Sequence, residues 1–192
     1  MKKIIKKLIK IGKDIFKIIF LSKAIKSGIR EIAIRIVADY PDPNDPPVLL
    51  YVATGGIFLG VDMSRALEKL NLRHQVDIVR IDGYDTDDLQ KDEPEITCKP
   101  KTSLRGRKVI VIEDLVDSGD SLILLNKFLK RLGIQSLQYC VLFLKKGHKP
   151  LGFPIKYVVL PTDLKLGWVV GMGMDSNGFG RGRTDISEKI EK

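Results

Sequence analysis

The apolar residues of the chain form continuous runs in some places and repeat at helical spacing in others. Strands are predicted over residues 48–53, 76–81, 109–112 and 137–144, and unbroken apolar runs are typical of strands covered on both faces. The helical sets are Ile25, Ile29, Ile32 and Ile36, then residues 56–70, then Leu122, Leu125, Leu129 and Leu132. Ser22 is the predicted N-cap of the first helix. Strands that alternate with helices favour an α/β fold with a parallel sheet and helices on both faces.

The amino end, residues 1–12, is predicted to be a basic amphipathic extension in helical form. Its apolar and basic residues alternate at helical spacing and continue a little beyond residue 12: Ile4, Ile5, Leu8, Ile9, Ile11 and Ile15, with Lys2, Lys3, Lys6, Lys7, Lys10, Lys13 and Lys17. Such a helix can lie on an anionic membrane, follow RNA phosphates, or pack on the fold or on a second subunit. Packing is favoured here. A signal peptide is not favoured, because no small-residue cleavage site follows.

Composition adds little to this pattern. The chain has 192 residues with 44% hydrophobic content, which suits one globular domain over residues 13–192. The net charge of +9 is concentrated at the amino end and therefore says little about the rest of the domain. Cys98 and Cys140 are too few for a disulfide framework, and Cys140 lies in an apolar run that predicts a buried thiol. A reducing cytoplasm is the simplest interpretation.

The segment with the most chemical content is residues 109–121, where a buried strand ends on Glu113 and Asp114 and a polar loop leads into a helix. The amino end of a helix binds phosphate well, and Gly119 permits a close approach of the backbone. The two acids would repel phosphate, so they suit sugar hydroxyls or a Mg²⁺ ion carried by a pyrophosphate. An ordinary turn with a solvated acidic corner is the alternative for an isolated acid pair.

The whole order of strand, acid pair, aspartate, serine-glycine and serine resembles the phosphoribosyl-pyrophosphate motif of type I phosphoribosyltransferases. Residues 14–186 are similar to the 6-oxopurine branch of that family, the hypoxanthine-guanine phosphoribosyltransferases. The resemblance implies a core parallel sheet over about residues 36–145 and a small hood from the amino-terminal segment and about 146–192. Phosphoribosyl pyrophosphate would be bound by Glu113, Asp114, Asp117, Ser118, Gly119, Asp120 and Ser121. Asp117 would also be catalytic, as acid or base near the purine N7.

The resemblance assigns roles to residues elsewhere in the chain. Thr54 and Gly55 would hold the leaving pyrophosphate together with Arg181, in a turn that often has a non-proline cis peptide in the family. The purine would be bound by Lys145, Trp168, Val169 and Asp175. Lys145 would donate to the purine O6, since an ammonium has only donors, and Lys146 is the alternative one residue along. The implied cofactor is Mg²⁺, with Glu113, Asp114 and Asp175 as its ligands.

The polar stretch 83–107 is long for a compact domain, and its first half is acidic. It is either a hairpin without a role or, as the resemblance implies, a mobile catalytic loop in which Tyr84 is the family's tyrosine. Closure of such a loop would exclude water from the reaction. Gly83 stands where the family usually has a serine.

Two further residues depart from the family pattern. Thr54 stands where a lysine is frequent, which leaves only a backbone role there. Asp120 places negative charge beside the 5′-phosphate, which predicts weaker affinity for phosphoribosyl pyrophosphate.

The predicted function is purine salvage by a homodimer or homotetramer that uses a 6-oxopurine, with the preferred base left open. The rival is an RNA-binding regulator similar to the pyrimidine-operon attenuators. Nucleic acid and membrane surfaces are not favoured as partners.

Overall fold

The computed structural model describes residues 8–84 and 90–190, and within them the chain forms strands β1–β10 and helices α1–α3. The strands are β1 Leu8–Ile11, β2 Asp14–Phe20, β3 Val48–Ala53, β4 Gln75–Tyr84, β5 Gln90–Cys98, β6 Lys108–Val116, β7 Ser136–Leu144, β8 Tyr157–Val158, β9 Val169–Val170 and β10 Ile186–Lys189. The helices are α1 Ser22–Asp39, α2 Gly56–Glu68 and α3 Asp120–Arg131. No helix in these described ranges is long and apolar enough to cross a bilayer.

The larger sheet has the strand order β5-β4-β3-β6-β7-β8. All of its strands pair in parallel except β5, which runs antiparallel to β4 at the edge. Alternate residues of the strands face opposite sides, so that Leu49 and Tyr51 pack with the apolar faces of α1 and α2, while Val48 and Leu50 pack with the leucines of α3. The predicted parallel sheet with helices on both faces is therefore confirmed. Cys140 is buried in it, as predicted.

A smaller antiparallel sheet has the order β1-β2-β10-β9 and is built from both ends of the chain. Strand β10 pairs with β2 on one side and with β9 on the other, and this joins residues 14–20 to residues 169–189. The sheet anchors the segment that follows β9, which closes one side of the cavity described below.

The helical prediction for the amino end is wrong for the residues that the structure describes. Residues 8–20 form the hairpin β1–β2, and Leu8 pairs with Lys17. In β2 the side chains alternate in exposure, since Phe16 and Ile18 are buried whereas Ile15 is exposed. Isoleucine and phenylalanine suit strands, and pairing with β10 overrides the helical spacing. A membrane or RNA contact through a helix thus loses its basis there, and residues 1–7 lie outside the described part.

Two local predictions also need correction. Helix α1 starts at Ser22 with Leu21 as its N-cap and without a side-chain capping bond, so Ser22 is not the cap. The amides of Ala24 and Ile25 instead donate to the Leu21 carbonyl oxygen. The stretch 83–107 is not a continuous loop, because β5 pairs antiparallel with β4 within it. Pairing with β4 supplies the backbone hydrogen bonds that this polar segment needs. Residues 85–89 lie outside the described part of the structure.

Candidate active site

A cavity of about 460 Å³ opens at the carboxyl ends of β3, β4, β6 and β7, where ligands usually bind in open α/β sheets. Every residue that the sequence analysis proposed for binding or catalysis lines this cavity, apart from Tyr84. Tyr84 ends β4, and its side chain lies outside the described part of the structure. The fold therefore gathers at one place residues that are up to 127 positions apart, from Thr54 to Arg181.

The loop after β6 has the geometry of an anion site. Gly119 has a φ of +93° and is the N-cap of α3, which starts at Asp120. The backbone conformation favours glycine there, and a Cβ at position 119 would also lie 2.6 Å from Leu151 Cδ2, so that this leucine side chain would have to shift. The Asp120 amide donates to Ser118 Oγ at 3.3 Å. The hydroxyls and the helix amino end thus face the same part of the cavity, which suits a phosphate group.

Glu113 and Asp114 lie in β6, which continues past them to Val116 rather than ending there as the pattern predicted. Burial and the neighbouring Asp114 carboxylate hold the pKa of Glu113 well above its usual value. Burial also raises the pKa of Asp114, although hydrogen bonds and the nearby Arg181 guanidinium oppose this rise. The Asp114 amide donates to Glu113 Oε1 at 3.1 Å. Two adjacent buried carboxylates of this kind favour a bound cation or hydroxyl donors.

The turn between β3 and α2 has a cis peptide bond between Ala53 and Thr54. A Cβ at position 55 would collide with the Asp114 carboxylate, and one at position 56 would collide with the Ile112 carbonyl oxygen. Glycines at 55 and 56 therefore let this turn lie directly against β6. The backbone of the turn and the acid pair consequently share one wall of the cavity.

Lys145 also lines the cavity and is held in place by Asp117. Its Nζ lies 2.9 Å from Asp117 Oδ2, and its amide donates to the Val116 carbonyl oxygen at 2.9 Å. The alternative residue Lys146 is exposed and is not part of the cavity lining among the described residues. The structure thus selects Lys145 of the two lysines as the cation that faces the cavity.

Residues on both sides of β9 form another wall of the cavity. Trp168 Nε1 donates to the Asp175 carbonyl oxygen at 2.8 Å, which fixes the indole beside the cavity. Arg181 donates from Nη1 to the Gly173 carbonyl oxygen at 2.7 Å and forms an ion pair with the Asp175 carboxylate. These contacts hold an aromatic face, a carboxylate and a guanidinium next to one another.

The predicted metal set of Glu113, Asp114 and Asp175 is not brought together. Within residues 8–84 and 90–190, no group of three or more histidine, cysteine, aspartate or glutamate side chains is placed to hold a metal ion. The physical reason is that the Asp175 carboxylate is engaged by Arg181 and by the Gly178 amide. Glu113 and Asp114 alone still fit Mg²⁺, which commonly binds through one or two carboxylates together with substrate phosphates and water.

Sequence reasoning missed residues that only the folded chain brings to the site. Lys149 Nζ lies 2.9 and 3.0 Å from the two carboxylate oxygens of Asp120, which is 29 positions away in sequence. Arg80 and Asp82 line the cavity and form an ion pair at 2.9 Å. A signal for Arg80 was present, because it is a cation at the carboxyl end of a largely apolar strand. Lys149 had no such local signal.

Comparison with known proteins agrees with this geometry. The family model of the phosphoribosyl transferase domain matches residues 17–177 of the chain. That match covers most of the chain, including the turns that follow β3 and β6 and the two strands themselves. The chain belongs to the phosphoribosyltransferase family.

Individual relatives show which enzymes within the family this chain is similar to. The chain is 29% identical over 159 residues to a hypoxanthine-guanine phosphoribosyltransferase from Dictyostelium discoideum, which covers 83% of this chain and 87% of that protein. It is 26% identical over 153 residues to the hypoxanthine phosphoribosyltransferase of Escherichia coli K12, covering 79% and 82%. These relatives are enzymes of one kind and give no support to the rival prediction of an RNA-binding regulator.

Solved structures show the same fold. The hypoxanthine phosphoribosyltransferase of Trypanosoma cruzi, in complex with its product IMP, superposes with a TM-score of 0.80 at 25% identity, covering 94% of this chain and 96% of that chain. A Bacillus anthracis hypoxanthine-guanine phosphoribosyltransferase has a TM-score of 0.79 at 21% identity, covering 95% and 100%, and supports the fold alone. The predicted family, fold and enzyme class are confirmed.

Proposed function

We propose that this phosphoribosyltransferase moves the 5-phosphoribosyl group from phosphoribosyl pyrophosphate to N9 of a 6-oxopurine, hypoxanthine or guanine, in purine salvage. The products are the nucleoside 5′-monophosphate and pyrophosphate. The observation that carries the proposal is the Lys145–Asp117 ion pair, which lies in the same cavity as the helix-terminal phosphate loop. The names of the similar enzymes point in the same direction.

Lys145 and Asp117 would select and activate the base. The ammonium of Lys145 can only donate, so it would pair with the O6 carbonyl of an oxopurine and not with an amino group. Asp117, 2.9 Å from that ammonium, would lie beside N7 of the purine and would exchange a proton there. Trp168 would stack on the ring while the Val169 backbone reads its edge.

The sugar and the 5′-phosphate would occupy the middle of the cavity. Glu113 and Asp114 would hold the ribose hydroxyls, and residues 118–121 would anchor the 5′-phosphate through their amides and hydroxyls. Glu113 and Asp114 lie in β6 and residues 118–121 follow it directly, so one rigid element sets the distance between the two groups. Rigid placement of this kind lowers the entropy cost of bringing the reacting atoms together.

The leaving pyrophosphate would bind opposite the base. The amides of Thr54 and Gly55 and the guanidinium of Arg181 are the groups that would stabilise its charge. Arg80 lines this part of the cavity and adds a cation where Thr54 supplies none. Tyr84 and the residues that follow it would close over the reaction and exclude water.

Glu113 and Asp114 are the residues that would hold a Mg²⁺ cofactor together with the substrate pyrophosphate. When bound, the ion neutralises charge on the pyrophosphate as the ribosyl bond breaks. The raised pKa of Glu113 supports this role, because a cation in contact with the pair would relieve the repulsion between the carboxylates.

A homodimer or homotetramer in the cytoplasm is part of the proposal. Val76 and Ile78 of β4 are 46% and 41% exposed, beside a hydrophobic cleft lined by Tyr51 and Val61. An apolar strip of this kind on a sheet face favours contact with a second subunit. Multi-angle light scattering would measure the mass, and a monomer at micromolar concentration would reject this part.

The direct experiment is product formation with phosphoribosyl pyrophosphate and Mg²⁺, offering guanine, hypoxanthine, xanthine, adenine and uracil in parallel. Turnover of one or more oxopurines, with adenine and uracil inert, is the expected result. Uracil turnover, or silence with all five bases, would reject the proposed function.

A further inference from the structure

Residues 145–149 run alongside residues 116–121, the end of β6 and the proposed phosphate loop, and are joined to them by two backbone hydrogen bonds. The Lys145 amide donates to the Val116 carbonyl oxygen at 2.9 Å, and the Lys149 amide donates to the Ser118 carbonyl oxygen at 3.0 Å. Each of these lysines also pairs with an acid of that loop, Lys145 with Asp117 and Lys149 with Asp120. In the proposed function, the first pair would face the base and the second would lie beside the 5′-phosphate.

Asp120 stands at an unfavourable place for a carboxylate. It is the first residue of α3, and it lines the cavity beside the amides and hydroxyls that suit a phosphate. A carboxylate a few ångströms from a phosphate dianion repels it, because like charges at that separation are only partly screened. Sequence reasoning therefore predicts weak binding of the 5′-phosphate.

The structure provides compensation for this charge. Lys149 Nζ contacts both carboxylate oxygens of Asp120, at 2.9 and 3.0 Å, and the Ser118 side chain also hydrogen-bonds to this carboxylate. The hydrogen bond from Lys149 is also the largest cause of the lowered pKa of Asp120, which keeps the pair ionised. The net charge of the pair is zero, and the adjacent helix terminus remains attractive to an anion.

We propose that Lys149 is a positioning residue for the 5′-phosphate of phosphoribosyl pyrophosphate, which acts by neutralising the charge of Asp120 beside the phosphate position. This inference rests on the proposed function, and it adds a specificity determinant outside the motif itself. The pair makes phosphate affinity depend on a segment that follows β7, not only on the loop that follows β6.

A double-mutant cycle tests the proposal, with KM for phosphoribosyl pyrophosphate and kcat measured for each variant. Lys149→Met is expected to raise that KM about tenfold with kcat within about twofold, since it leaves Asp120 uncompensated. Asp120→Asn is expected to lower the same KM about twofold, because the cation remains without the opposing charge. The double variant is expected to return to within about threefold of the wild type. Lys149→Arg should retain the wild-type KM.

Controls separate this role from a structural one. The backbone bond from Lys149 to Ser118 does not need the side chain, so Lys149→Met should fold, and melting curves verify it. Should it unfold, Lys149→Gln takes its place in the cycle. Lys127→Met removes an exposed lysine from α3, the helix that begins at Asp120, and should leave KM for phosphoribosyl pyrophosphate unchanged.

Three results would overturn the inference: an unchanged KM in Lys149→Met, an equal rise of KM in the wild-type and Asp120→Asn backgrounds, or a loss confined to kcat. An inactive wild-type protein would instead reject the proposed function, so the two failures are distinguishable.

Discussion

The cavity treats its acidic residues in two opposite ways. At the phosphate end, Asp120 is paired with Lys149 and its pKa is lowered. In the middle, Glu113 and Asp114 lie side by side in a buried strand, and the pKa of Glu113 is raised. The difference teaches which charges the protein compensates by itself. Asp120, beside the proposed phosphate site, has its own cation, whereas the buried pair is compensated only in part, by Arg181 near Asp114.

The largest effect is expected from the buried pair. Glu113→Gln should lower kcat/KM by about a hundredfold to a thousandfold, since a neutral amide cannot hold Mg²⁺ or strengthen its hold on a ribose hydroxyl. The folded state should become more stable without ligand, because a buried like charge is removed. Steady-state kinetics and thermal melts measure both effects. Glu31→Gln, an exposed glutamate of α1, is the matched control, and unchanged kinetics in Glu113→Gln would contradict the role of the pair.

The next effect concerns the compensated end near the base. Lys145→Met should lower kcat/KM for an oxopurine about a hundredfold, because Asp117 loses its partner and O6 loses its donor. The preference for hypoxanthine over adenine, as a ratio of kcat/KM values, should decrease at the same time. Competition between hypoxanthine and adenine measures it. Lys146→Met is the control, since this lysine is exposed, and an equal loss in both variants would show that the assignment to Lys145 is wrong.

A smaller effect is expected from the phosphate loop itself. Gly119→Ala forces a side chain into a φ of +93° and towards Leu151, so stability should fall by about 1–2 kcal/mol. KM for phosphoribosyl pyrophosphate should rise several-fold. Chemical denaturation and kinetics measure the two. Gly182→Ala is the comparison, because a Cβ there would meet nothing within 4 Å, and equal losses in both variants would refute the steric argument.

The smallest effect is a pH dependence that distinguishes the two kinds of acid. Glu113 has a raised pKa in the folded state, so its contribution to stability is present below its ordinary pKa and is lost as the pH rises through the raised value. Asp120 has a lowered pKa, so its contribution is present above its ordinary pKa and is lost as the pH falls through the lowered value. Melting temperatures across pH should show the first dependence weaken in Glu113→Gln and the second weaken in Asp120→Asn. Neither dependence disappears, because the pKa of Asp114 is also raised and those of Asp39 and Asp77 are also lowered. Identical profiles in all three proteins would break the comparison.

The sequence by itself determined the strand–loop–helix unit of residues 109–121 and the parallel sheet around it. Val109, Ile110, Val111 and Ile112 form one apolar run, and all four are buried. A continuous apolar run is typical of a strand covered on both faces, so this strand can be recognised from its sequence pattern alone. The spacing of the leucines in α3 likewise predicts which face of the helix is buried. The acid pair and the loop residues of this unit could be named from its pattern, whereas the family resemblance supplied the roles of Lys145, Trp168, Val169, Asp175 and Arg181.

Only the tertiary structure decided the features that depend on distant segments. The spacing of residues 8–20 fits a helix, yet β10, more than 160 positions later, pairs with β2 and makes that segment a strand. Strand β5 needs β4 as its neighbour, and Lys149 reaches Asp120 because β7 lies beside β6. Local periodicity reports which face of a segment is apolar. Which surfaces meet is decided by packing and hydrogen bonding over the whole chain, and these override weak local preferences.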